Sequence, residues 1–223
     1  MSLWSRIVEA ISSLATGQGL AEVFDRFRSP PEKSVAFTIA VIALGAKMAK
    51  ADGEVTRGEV AAFRRVFVIP PGEEDAAARV FNLARQDVAG FDAYARKIAA
   101  MFPGDREVLI DLMEGLFHIA LADGSFHPGE EAFLTEVARI FGLDQRCFAA
   151  LRARHVPGDP YAVLGVDPGA PLDEVRRAWA QAVRASHPDG MIARGVPPEA
   201  VRLAEDRMRA INAAWDVIQK RAA

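Results

Sequence analysis

With 223 residues, 51% of them hydrophobic, the chain is long enough to bury a core and to hold two domains. Its 27 Lys plus Arg against 30 Asp plus Glu give a net charge of −3, a balance that argues against a general nucleic-acid binder. Aromatic residues are only 8%, the single cysteine (Cys147) excludes an intramolecular disulfide, and no apolar run reaches the ~18 residues of a membrane span.

Residues 1–31 read as an amphipathic helix and linker. Trp4, Ile7, Val8, Ile11 and Leu14 recur at helical spacing. Gly17 and Gly19 break the pattern, Leu20, Val23, Phe24 and Phe27 resume it, and Ser29-Pro30-Pro31 ends it. This stripe either packs on the following domain or lies on a membrane surface, and a polar face poor in Lys and Arg favours packing. Met1 to Ala15 lack the basic start and small-residue cleavage pattern of a signal peptide, and Glu9 interrupts them. The expected location is the cytoplasm, with a peripheral contact at the inner face of the membrane through residues 1–27 as the alternative.

Residues 32–153 carry helical patterns over 33–50, 57–68, 73–87, 91–101, 105–121, 128–141 and 144–153, with no convincing alternating strand. The apolar run from Val35 to Ala46, flanked by Lys33 and Lys47, reads as a buried core helix. Breaks fall at Asp52-Gly53, Pro70-Pro71-Gly72, Pro103-Gly104, Asp123-Gly124 and Gly142, where turn chemistry puts them. The expectation is a compact helical bundle.

A weak internal repeat lies inside it. Ala51-Asp52-Gly53 followed by Gly58-Glu59 is matched by Ala122-Asp123-Gly124 followed by Gly129-Glu130. Thr56 with Glu59 has capping-box spacing, and Pro128 with Glu130 suits a first helical turn. Asp52, Glu54 and Glu59, or Asp123, His127 and Glu130, bring metal-type donors close together. An EF-hand loop needs donors at alternate positions over twelve residues, and each copy here has one Asp before its Gly. Turn formation and capping are the favoured reading, and no metal ligand is assigned. His118 lies on an apolar stripe with Leu121 and reads as a satisfied core histidine; Cys147 beside Phe148 reads as core filler.

Two Ala-Asp-Gly helix hairpins in an all-helical domain of this size resemble the TerB-like domain, named for tellurite-resistance proteins. The best-matching segment runs from Phe117 to Phe148, around Ala122-Asp123-Gly124-Ser125-Phe126-His127-Pro128. The metal binding linked to some members of that family would fall here on Asp52, Asp123 and the nearby glutamates.

After Pro157-Gly158, Asp159 can cap a short helix with Pro160 at its first position and Gly165 at its close. The short linker should hold the two domains close together. A second helix starts near Pro171 and keeps Val175, Ala178, Trp179, Ala182 and Val183 on one side, with Arg176, Arg177 and Arg184 mostly on the other. It should stop near Ser186, because Pro188 pushes His187 out of the α region and leaves His187 and Asp189 exposed at the start of a ten-residue loop. A third helix begins near Pro198 and carries Val201, Ala204, Met208, Ile211, Ala214, Trp215 and Ile218. The result is an antiparallel hairpin with His187-Pro188-Asp189 at its tip.

This arrangement resembles a J-domain, the ATPase-stimulating module of DnaJ-type co-chaperones. The residues that carry the likeness are Tyr161 with Leu164-Gly165, Arg176-Arg177-Ala178-Trp179, His187-Pro188-Asp189 and Ile211-Asn212-Ala213-Ala214-Trp215. Spanning residues 158–223 after a TerB-like domain, it makes the chain similar to the DjlA type of co-chaperone. The loop from Met191 to Glu199 also looks like that group rather than a general DnaJ. Three departures stand out: Met1 to Phe27 is too amphipathic for the membrane segment that opens such proteins, Gly190 occupies a usually basic position, and Ala180-Gln181 replaces a basic pair.

The resemblance implies a DnaK-type ATPase chaperone as partner, with His187, Pro188 and Asp189 docking and Arg176, Arg177 and Arg184 steering toward an acidic surface. The TerB-like domain would then be a regulatory or targeting module. The ATP chemistry belongs to that partner: this chain has no Gly-rich phosphate loop, and His187 near Asp189 lacks a nucleophile, so no enzyme activity and no cofactor are assigned. A metal-responsive stress protein acting through residues 33–153 is the alternative. Clients are not readable from the residues.

Overall fold

The structure, a computed structural model, describes residues 3–12, 30–51, 66–79, 90–122, 124–156 and 158–222, which are helical with no strand among them. The first copy of the Asp-Gly turn, positions 57–65 of the helix expected after it, and Asp123 lie outside the described residues.

Helix α1 (Leu3–Ser12) lays its apolar stripe on α2 (Pro30–Ala51). Trp4 and Ile7 are fully buried, and the Trp4 ring meets Phe67 edge-on at 6.3 Å. For these residues packing on the domain is what occurs, and the stripe they form is not offered to a surface. Helix α2 is the hub. Every residue from Val35 to Leu44 is buried, as expected of a helix apolar all round. Around it stand α3 (Phe91–Met101), α4 (Arg106–Ala120) and α5 (Pro128–Ile140), and α6 (Gln145–His155) packs on α4. Their ends match the sequence patterns within a few residues because the signals are local. Asp144 caps α6 by accepting from the Cys147 N–H at 2.7 Å, and Glu130 accepts from the His127 N–H at 2.9 Å at the head of α5.

Beyond Gly158, α7 (Pro160–Val163) is capped by Asp159, whose carboxylate accepts from the Tyr161 N–H at 3.1 Å. Helix α8 (Leu172–Ala185) has Asp173 and Glu174 in its first turn and Arg184 in its last, each placed favourably for the helix dipole. It ends at Ser186. The segment after it corrects the expected ten-residue loop: Pro188–Arg194 forms a short helix, α9, closed by Gly195 at φ +103°, and Pro198–Ala200 forms a 3₁₀ turn before α10 (Val201–Ala222). Pro188 breaks α8 and also starts α9, since proline is well tolerated at the first helical position.

Helix α10 belongs to two cores. Ile211, Ala214 and Ile218 pack with Val163, Leu164 and Val175 into a small core of their own, roofed by Trp179 stacked on Trp215 at 5.3 Å. Leu203 and Ala204, together with Met191, Val196 and Ala200, instead join the large core built on α2 and α4. Gly115 on α4 lies at this junction, where a Cβ would stand in ordinary contact with Val41 at 3.4 Å and Leu203 at 3.8 Å. The N-terminal bundle and the C-terminal hairpin therefore share buried apolar surface.

Candidate functional site

The site begins where α8 stops. Ser186 is buried and its hydroxyl donates to the Ala182 carbonyl at 2.7 Å, which finishes the helix. The next residue caps α9: His187 Nδ1 accepts from the Asp189 N–H at 3.3 Å. Pro188 fills the first helical position, and Asp189 stands in the first turn. Their side chains point outward, with 58% of His187 and 89% of Asp189 exposed and 3.7 Å between His187 Nδ1 and the nearer carboxylate oxygen. A carboxylate so placed is held in position by its backbone and still open to an incoming cation.

Along α8, Val175 faces the small core, and Trp179 donates its indole N–H to Asn212 Oδ1 at 3.0 Å, tying α8 to α10. Arg176, Arg177 and Arg184 are exposed on the outward side. The structure thus brings the six candidate residues onto one helix and the turn that follows it.

Beneath the turn lies a buried ion network that links the two parts of the chain. Asp111 and Glu114, one helical turn apart on α4, are fully buried. Asp111 accepts from Arg194 at 3.1 Å and from Arg207 at 2.7 Å. Glu114 meets Arg154 at 2.8 Å, Arg207 at 3.0 Å and the His155 imidazole. Burial alone would raise the Glu114 carboxyl, but Arg207, His155 and Arg154 outweigh it and hold it well below the usual carboxylate range. At Asp111 burial dominates over Arg207 and Arg194, and the carboxyl moves up. Sequence reasoning missed this network. Its one visible signal was two carboxylates three positions apart within the otherwise apolar run Val108–Phe117.

His118 departs from the expectation of a satisfied core histidine. Its ring meets His155 edge-on at 4.8 Å and its Nε2 lies 3.7 Å from Asp206, too far for a hydrogen bond, so that nitrogen has none. It borders a cleft of about 450 Å³ between α4, α6 and α10. Cys147 is half-buried, and burial pushes its thiol up. Among the described residues no cluster of three His, Cys, Asp or Glu side chains could hold a metal ion, and no helix is long and apolar enough to cross a membrane. Asp52, Glu54, Glu59 and Asp123 lie outside those residues.

Comparison with known proteins matches both halves. Residues 38–153 fit the family model described as tellurite resistance protein TerB, and residues 159–223 fit the DnaJ domain model. Curated relatives include the Co-chaperone protein DjlA of Photobacterium profundum, 28% identical over 85% of this chain and 79% of that protein. The protein of the same name from Vibrio cholerae serotype O1 is 26% identical over 86% of this chain and 80% of its own length. That of Escherichia coli (strain K12) is 22% identical over 99% and 98%. No solved structure matches. With a TerB domain followed by a DnaJ domain and relatives that run through both, the chain belongs to the DjlA type of J-domain proteins.

Proposed function

We propose that this chain is a J-domain co-chaperone that binds a DnaK-type chaperone and stimulates its ATP hydrolysis. The observation that carries the reading is the exposed His187-Pro188-Asp189 turn, capped by His187 at the end of a helix whose outer face bears Arg176, Arg177 and Arg184. Those arginines steer the helix toward an acidic surface on the partner, with an effect that weakens as salt rises. Asp189 then accepts charge-assisted hydrogen bonds from a partner cation. Docking accelerates hydrolysis by binding the partner's hydrolysis-competent state more tightly than its resting state. The bond-breaking chemistry stays with the partner.

The domain division that goes with this reading is 32–153 for the TerB-like part and 158–223 for the J-domain, the former serving as regulatory or targeting module in the cytoplasm. A membrane contact within residues 1–27 would have to use apolar groups other than Leu3, Trp4 and Ile7, which are buried.

The test is single-turnover ATP hydrolysis by a DnaK-type chaperone with increasing amounts of this protein. Stimulation by the unchanged chain, and little or none by His187→Gln or Asp189→Asn, is the expected result. A chain that leaves turnover unchanged removes the reading.

A further inference from the structure

The stretch from Met191 to Leu203 follows the docking turn and is anchored in the core of the N-terminal bundle. Met191, Val196, Ala200 and Leu203 are at most 2% exposed, and all lie in the core of the N-terminal bundle. Gly195 runs against α2, where a Cβ would come within 2.7 Å of Lys33 Cβ. Arg194, between these anchors, ties its own helix to two others at once. Its Nε and Nη2 donate to Asp111 Oδ2 on α4 at 3.3 and 3.1 Å, and Nη2 also donates to the Ala185 carbonyl, the last residue of α8, at 3.1 Å. Arg207 holds the other Asp111 oxygen at 2.7 Å.

A seven-residue helix cannot hold itself together in water, because nucleation is costly and few bonds follow it. Helix α9 therefore takes its position from what it is tied to. Asp189 sits in its first turn and Arg194 in its last, so the aim of the Asp189 carboxylate is set from the far end of one short helix.

We infer that Asp111 and Arg194 are positioning residues for His187-Pro188-Asp189, so that the TerB domain sets the presentation of the J-domain's docking turn. The inference rests on the function proposed above. Nothing in it requires Asp111 to touch the partner, from which it is sealed by complete burial. The TerB domain becomes part of the docking device, and anything that shifts α4 changes how well the turn docks.

The experiment compares the whole chain with Arg194→Met and Arg194→Lys, reading half-saturating concentration and maximal stimulation of a DnaK-type ATPase separately, alongside thermal melting. Arg194→Met should need about tenfold more protein for half-maximal stimulation, the equivalent of ~1.4 kcal/mol of docking free energy, while still melting cooperatively. Arg194→Lys, which restores the cation, should recover most of the loss. Amide exchange at residues 189–192 should rise in Arg194→Met before the partner is added. If that variant fails to melt as one transition, Arg194→Gln is read in its place. Wild-type-like stimulation with the methionine, or a loss that lysine does not recover, overturns the inference. An unchanged chain that fails to stimulate at all instead removes the functional reading beneath it.

Discussion

Arg207 on α10 donates to Asp111 on α4 at 2.7 Å, from 96 residues away in sequence, and the two side chains are 2% and 0% exposed. The same guanidinium reaches Glu114 at 3.0 Å. One guanidinium thus bridges two buried carboxylates where the TerB and DnaJ parts meet, with Arg194 also paired to Asp111 and Arg154 to Glu114. Removing a single member of such a cluster leaves charge buried without a partner, which is far costlier than never having built the cluster. Arg207→Met should lower unfolding stability by ~3–5 kcal/mol in urea melts. Combining it with Asp111→Asn should cost less than the sum of the two single changes, because they share one interaction. Strict additivity would show that the contact contributes nothing as a pair.

Gly190 stands in the middle of α9, where the family usually carries a cation. A Cβ there would lie 3.4 Å from Arg194 Nη1, an ordinary contact that leaves the bonds of Nε and Nη2 in place. Gly190→Lys adds a charge beside Asp189, and replacing a helical glycine adds up to ~1 kcal/mol of helix propensity. An exposed charge pair contributes ~0.2–1 kcal/mol, so half-saturation of the partner should come at a concentration about 1.4- to fivefold lower in low salt. Gly190→Ala separates the causes. It should share the gain in melting temperature and show none of the salt-sensitive gain in affinity. Equal affinity gains for Ala and Lys would mean that charge at this position is irrelevant to docking.

What could be read from the chain divides along a physical line. The end of α8 at Ser186, the Asp159 cap and the Glu130 cap were legible because each depends on residues within four positions. The short α9 was not, since Pro188 read as a break and its role as a helix start needs the anchors that follow. Those anchors are distant: Arg194 and Asp111 are 83 residues apart, and no local pattern pairs them. The apolar positions on α10 gave the helix but not its division, in which Leu203 and Ala204 serve one core and Ile211 and Ile218 the other. His118 was legible as lying on an apolar stripe but read as satisfied, because its neighbours His155 and Asp206 come from other helices and leave its Nε2 without a hydrogen bond.

That surrounding makes His118 the residue that couples stability to pH near neutrality. Burial lowers its pKa first, and the nearby His155 and Arg207 add to the shift against the opposing pull of Glu114 and Asp206. The unfolded chain has none of these neighbours, and its His118 takes a proton below pH ~6.5. As pH falls through that value the unfolded state binds the proton and the folded state does not, so stability declines until the lowered native pKa is reached. Glu114 acts at lower pH and with the same sign. Its depressed native pKa stabilises the fold above the ordinary glutamate range and is lost on further acidification. His118→Gln removes the first titration and leaves the second. Urea midpoints measured from pH 7.5 down to about 5.5 should therefore fall less for His118→Gln than for the unchanged chain, since a neutral amide has no proton to gain. Parallel curves over that range would assign the pH dependence to another histidine.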